Sequence, residues 1–141
     1  MWENYRELIQ RYGTISLRKE RKLISLAQQG SVKSRDEIVL RHLNFIIFRL
    51  NIKVFYPYLK RHGEDLFSAA VLILYQKIAS YDLHYKDRNG KPKPVRFSSY
   101  IWKRIDGFII DFLHRESAAA RQPLYRNKLP SQNIEPYPDY Y

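Results

Sequence analysis

The sequence predicts an all-α protein: a compact bundle of about five helices followed by a C-terminal tail that is mobile in isolation. Three observations lead there. Apolar residues recur at three- and four-residue spacing through the first 115 positions, helix-start and helix-stop residues separate the periodic runs, and four of the seven prolines fall after Arg121. A length of 141 residues suits one domain. It divides into an N-terminal helix at 1–15, a helical domain at 16–121 and a proline- and tyrosine-containing tail at 122–141.

Tyr5 to Tyr12 reads as a short first helix closed by Gly13. Ser16 caps a second helix, Leu17 to Gln29, with Leu23, Ile24 and Ala27 on one face and Gly30 as the stop. Ser34-Arg35-Asp36-Glu37 has the form of a capping box, in which the serine and glutamate reciprocally satisfy free amides at a helix start. From there Leu43, Ile46, Ile47, Leu50 and Val54 predict one long third helix, ended by Tyr56-Pro57. Gly63-Glu64-Asp65 opens a fourth, with acids where the helix dipole favours them and Phe67, Ala70, Val71, Leu74 and Ile78 as its buried stripe. Asp82 to Arg96, containing Asn89-Gly90, Pro92 and Pro94, is a basic loop. A fifth helix spans about Ser98 to Arg115, turning Ile101, Ile105, Phe108, Ile109 and Phe112 inward.

Composition narrows the function classes. A net charge of +11 with 15% aromatic residues favours an anionic partner with stackable bases, because cations near phosphates release condensed counterions and rings pair with unstacked bases. The absence of cysteine excludes disulfides and thiolate metal sites and fits a cytoplasmic protein. Charged residues or histidines interrupt every apolar stretch, so no membrane partner is expected. The opening residues carry no secretory pattern. His42, His62, His84 and His114 lack ligand spacing, and Asp106 and Asp111, five apart, do not share a helix face. Without a phosphate-cradling glycine loop or a nucleophile elbow, the sequence predicts a binding protein, with no enzyme activity, metal or cofactor.

The informative stretch lies between Tyr81 and Lys128. From Lys86 onward it holds Lys86, Arg88, Lys91, Lys93, Arg96, Lys103, Arg104, Arg115, Arg121, Arg126 and Lys128, opposed by Asp87, Asp106, Asp111 and Glu116. On the fifth helix Tyr100, Lys103, Arg104 and Gly107 share the face opposite the apolar stripe. Such a face suits a closely approaching DNA strand. Taken by itself, such a face on an amphipathic helix is more often a solvated polar surface around a half-buried tyrosine.

The order of these segments resembles region 2 of the sigma factors of bacterial RNA polymerase, with its preceding short helical region, over roughly Ser16 to Ser117. Phe97-Ser98-Ser99-Tyr100, then Arg104-Ile105, Gly107, Asp111 and Leu113, is similar to F-x-[ST]-Y-x-x-x-R-I-x-G-x-x-x-D-x-L, the form found in flagellar and sporulation-type members. Glu64-Asp65-Leu66 and Ala79-Ser80-Tyr81-Asp82 resemble the ends of the family's segment from D-L to aromatic-Asp. Arg41-His42-Leu43-Asn44-Phe45-Ile46 stands where the family has N-L-R-L-V, and Leu23 to Gly30 resembles its apolar helix closing in A-x-x-G.

The resemblance implies a sigma-like initiation factor, acting at the nucleoid, that binds core RNA polymerase and melts the minus-ten promoter element. It implies docking on the clamp helices of the large polymerase subunit through Leu43, Ile46, Asp65, Leu66, Ser68, Ala69 and Val71. It implies that Tyr100 stacks on a flipped adenine of the non-template strand, that Ser98 and His42 line a second base pocket, that Lys103 and Arg104 face the duplex fork and phosphates, and that Gly107 falls where the upstream edge of the element is read. Phe97 and Ser99 belong to the same DNA-binding motif, and Lys91, Lys93 and Arg96 of the preceding loop join that set. The chain departs from the family in an apolar Ser68-Ala69-Ala70-Val71-Leu72-Ile73 run after D-L, in Lys103-Arg104 where housekeeping members carry tryptophans, and in a longer, more basic loop. No promoter-reading helix-turn-helix follows Arg121, as in certain phage late factors or a fragment of a longer chain. The ending Pro136-Tyr137-Pro138-Asp139-Tyr140-Tyr141 is either a docking peptide for a sliding clamp or accessory factor, or a tail with no partner. Two further readings use the same scaffold: a polymerase-independent nucleic-acid binder, and an adaptor or decoy on the polymerase clamp.

Overall fold

Helix α1 (Arg6–Arg11) continues a 3-10 turn, Glu3–Tyr5, and is followed by α2 (Leu17–Gln28), α3 (Val32–Arg41), α4 (Leu43–Lys53), α5 (Tyr56–Ser80) and α6 (Phe97–Ala120). This computed structural model describes residues 1–120, with side chains up to Glu116. The all-α expectation holds; the expected tail at 122–141 and its docking peptide lie outside the described residues. No helix among the described residues is long and apolar enough to cross a membrane.

Local chemistry sets the helix ends. Ser16 caps α2 as expected, its hydroxyl accepting from the Lys19 amide at 3.1 Å. Gly30 follows with φ of +107°, a conformation that glycine adopts without a Cβ penalty. The α3 cap lies three residues before the expected box. Ser31 accepts from the Ser34 amide, Ser34 is buried inside the helix, and Glu37 pairs with Arg41 at 2.9 Å.

The predicted long third helix is two helices, broken at His42. In a continuous helix the His42 amide would bond the Ile38 carbonyl. Here that amide reaches Val39 instead, and the His42 ring Nδ1 donates to the Ile38 carbonyl at 2.7 Å. The side chain thus satisfies the acceptor that the break would orphan.

Pro57 does not simply end a helix. It occupies the first turn of α5, where its missing amide costs nothing. α5 therefore begins seven residues before the expected Gly63 and runs 25 residues, about 37 Å at helical rise. Gly63 sits inside it because the N-terminal segment lies against that spot. A Cβ there would come 2.5 Å from the end of the Met1 side chain and 3.3 Å from the Trp2 ring.

The core lies where α4 packs on both α5 and α6, with α2 and α3 closing one side. Ile24, Ile38, Ile46, Leu50, Leu66, Leu74, Ile101, Ile105, Ile109 and Leu113 are sealed within it. Of the residues expected inward on α6, Phe108 and Phe112 are only half-buried. The N-terminal segment is fastened across α4 and α5: Trp2 donates to Asn51 at 3.0 Å, Tyr5 donates to Glu64 at 2.6 Å, and both rings meet Phe67.

Candidate nucleic-acid interface

Two buried ionic clusters hold α6 against earlier helices, and the expected DNA face lies between them. At the start of α6, the Phe97 amide donates at 3.0 Å to the Glu20 carboxylate of α2. The other Glu20 oxygen lies 3.5 Å from His42 Nε2 and 3.9 Å from Arg96. Burial pushes the Glu20 carboxyl up; His42, the Phe97 amide and Arg96 more than offset this, and its pKa is lowered overall. Nine residues further on, Asp106 accepts from Arg49 Nε at 2.9 Å and also from Arg49 Nη2, while the Trp102 indole donates to it at 2.7 Å. The Arg49 guanidinium stacks 4.7 Å from the Trp102 ring centroid. Paired in this forked way, a buried arginine and carboxylate fix both the rotation and the height of a helix.

Between these ties stands Tyr100. Its ring is half-buried, edge-on to Tyr81 at 5.3 Å, with the Lys77 ammonium 5.3 Å from the ring centroid. Its hydroxyl donates to the Ser80 carbonyl at 3.1 Å and lies 2.8 Å from the Ser80 hydroxyl. The ring is thus held in place from the end of α5. Lys103, Gly107 and Ser99 are half-buried and Arg104 is exposed, so the polar face expected on this helix is present.

Ser98, His42 and Arg96 come together in a cleft of about 570 Å³ whose walls also include Tyr12, Phe45 and Phe48. His42 is 7% exposed. Arg96 turns inward, donating to the Ile15 carbonyl at 2.7 Å, rather than projecting with the loop cations as expected. Arg41 on the same wall donates to the Gly13 carbonyl at 2.8 Å. Lys91 and Lys93 are exposed on the loop.

Several expected contact residues cannot touch a partner. Phe97 is fully buried, packed against His42 and Tyr81, because the first residue of α6 points into the core. It also meets the Tyr100 ring, 6.3 Å between centroids, from the core side. Leu43, Ile46 and Leu66 are likewise core residues, at 5%, 0% and 1% exposure, because α4, α5 and α6 pack against one another and turn these side chains inward. Asp65 and Ser68 are exposed, and Ala69 and Val71 are half-buried.

Sequence reasoning missed Glu20, Lys77, Ser80, Trp102 and the pairing of Arg49 with Asp106. A signal was present for two of them. Glu20 falls one turn before Ile24 on the inward face of α2, and Asp106 directly follows Ile105 beside the apolar stripe of α6. An acid beside a buried stripe demands a partner. Comparison with protein-family models, curated sequences and solved structures finds no match to this chain.

Proposed function

We propose that this chain is a sigma-like transcription initiation factor that binds core RNA polymerase and opens the minus-ten element by capturing an unstacked base of the non-template strand. The reading rests on the order of motifs from Ser16 to Ser117, and one observation carries it furthest. Tyr100 is half-buried near the start of α6, its hydroxyl fastened to Ser80 and the Lys77 ammonium against its ring, with Lys103 and Arg104 following on the same helix face.

The chemistry follows from that arrangement. A ring fixed before binding loses little conformational freedom when a base stacks on it. Stacking contributes about 1–3 kcal/mol per base, comparable with the few kcal/mol needed to unpair one. Surrounding cations attract the adjoining phosphates. Melting is then driven by capture of single-stranded bases and needs no nucleotide hydrolysis. The cleft holding Ser98 and His42 is the place for a second extruded base. On α5 the exposed Asp65, Ser68 and Leu72, with Ala69 and Val71 beside them, form the surface offered to the polymerase clamp.

The test is transcription with core polymerase from a fully duplex promoter and from the same promoter pre-melted. Tyr100→Ala should lower duplex-template activity about 5- to 150-fold, the loss of one stacked base, and leave the pre-melted template nearly unaffected. A chain that never retains core polymerase in a pull-down ends the proposal. Retention with unchanged activity of Tyr100→Ala would favour an adaptor on the clamp.

A further inference from the structure

The segment between α5 and α6 is an ordered basic hairpin. Lys86 and Pro92 face each other across an antiparallel bridge, the Asp87 amide donates to the Lys91 carbonyl at 2.9 Å, and the Lys93 amide donates to the Tyr85 carbonyl at 3.0 Å. Asp87 ties the tip, its carboxylate accepting from the Asn89 amide at 2.9 Å and the Lys91 amide at 3.0 Å. Gly90 supplies the positive φ of +77° that the tight turn requires. The base is fastened as well. Arg21 of α2 donates to the Leu83 carbonyl at 2.6 Å, and the Tyr81 hydroxyl donates to the Val95 carbonyl.

The hairpin's four exposed cations outnumber the two acids of the segment, Asp82 and Asp87. Lys86, Arg88, Lys91 and Lys93 are exposed, and no ion pair among the described residues involves them. The two acids of the segment are committed to backbone amides, Asp82 to His84 at 2.8 Å and Asp87 as above. Arg18 and Lys22, exposed one turn apart on α2, add charge next to the anchoring Arg21. Four like charges on a fixed hairpin repel one another and are retained at a cost unless an anion arrives.

The exposed residues also say what kind of anion. From Arg88 to Pro94 they are cations, Asn89, Gly90 and two prolines, with no aromatic ring and no large apolar side chain; the exposed His84 ring lies at the base, two residues before Lys86. Tyr85, the aromatic of the hairpin, is half-buried against its base. Recognition by charge alone, on a scaffold whose root touches Tyr100 through Tyr81, suits a regular phosphate backbone.

We propose that this hairpin is a sequence-independent grip on the phosphates of double-stranded DNA, separate from the base-capturing face of α6. The choice of DNA rests on the initiation-factor reading; the geometry of the grip does not. The hairpin holds duplex, and Tyr100 waits beside its root for the base that leaves it.

The decisive experiment uses the full chain without polymerase. Binding to a labelled duplex lacking any minus-ten element is followed by anisotropy across a fourfold rise in salt, beside a single-stranded oligonucleotide and phosphatidylserine vesicles. The combined variant Lys86→Ala, Arg88→Ala, Lys91→Ala, Lys93→Ala should reduce the slope of log affinity against log salt by about 3–4, so wild type loses about 100-fold more affinity than the variant over that range. Swapping the four cations for one another, lysine for arginine and the reverse, should restore the slope with an unchanged thermal midpoint. Removing one exposed cation outside the hairpin, Lys60→Ala on α5, should change the slope by no more than about 1. An unchanged slope in the alanine variant overturns the proposal, as does a loss confined to single strands or to vesicles. Because polymerase is absent, failure of the initiation-factor reading in transcription leaves this outcome readable by itself.

Discussion

The two polar clusters that hold α6 differ in what surrounds them, and the difference separates support from function. Arg49 and Asp106 are nearly dry: Asp106 is 1% exposed, and Trp102 both bonds the carboxylate and covers the guanidinium. Glu20 and His42 are as deeply set, yet they form one wall of an open cleft that also holds Ser98 and Arg96. The first cluster is a rivet. The second is a rivet and a surface, so its charge is available to whatever enters the cleft. Tyr100, Lys103 and Arg104 lie between the two, and a helix segment tied at Phe97 and again at Asp106 presents its outer face with little freedom to rotate.

The largest effect should come from the dry cluster. Asp106→Ala leaves the Arg49 charge buried without a partner and should cost about 3–5 kcal/mol in urea unfolding. Replacing both partners together, Arg49→Met with Asp106→Leu, should recover most of that loss, because the expense lies in the orphaned charge. If the single variant loses less than about 1 kcal/mol, the cluster is not what fixes α6.

A smaller and pH-dependent effect is expected at the cleft. Glu20→Gln keeps an acceptor for the Phe97 amide but removes the charge facing His42 and Arg96, for about 1–2 kcal/mol near neutral pH. The sign of its pH dependence follows from the lowered Glu20 pKa. The stabilisation is complete above the ordinary carboxylate value of 4.5 and is lost as pH falls through the depressed value of the folded state. Wild type and variant should therefore converge in acid unfolding curves. A gap that persists into strong acid would assign the effect to packing.

The smallest effect calibrates both clusters against an exposed tie. Tyr5→Phe removes the phenol that donates to Glu64, for about 1 kcal/mol. That bond to the carboxylate is the main reason the Tyr5 pKa is pushed up to about 12. A raised folded value means the contribution is present below the ordinary value of 10.0 and disappears as pH rises through about 12. Thermal midpoints of the two proteins should differ at neutral pH and meet in strong alkali. A constant difference would place the effect in the ring contact with Phe67 instead.

Much of the fold was legible because periodicity and caps are local. The Ser16 cap, the Gly30 stop, the turn at Asn89-Gly90 and the apolar stripe of α6 all follow from neighbouring residues. The break at His42 was not legible, because the apolar spacing runs through it and the substitute bond to Ile38 is made by a side chain. The α5 start at Tyr56 was hidden for the opposite reason: Pro57, expected to stop a helix, sits in the first turn of the next one. Of the candidate interface, the face carrying Tyr100, Lys103 and Arg104 could be drawn from helical spacing alone. The burial of Leu43, Ile46, Leu66 and Phe97 could not, since spacing gives a stripe but not how many neighbours press on it.

By itself, then, the sequence determined an all-helical chain, an excess of positive charge and the residues that share the outer face of α6. Hydrogen-bonding range and helical period extend only a few residues, and these properties need no more. Tertiary structure alone decided which polar groups meet: Glu20 with His42 and Arg96, Asp106 with Arg49, and the Tyr100 hydroxyl with the Ser80 carbonyl. Those partners lie 20 to 76 positions apart in the chain. The geometry that joins them comes from the packing of α2, α4 and α5 around α6, which no local pattern encodes.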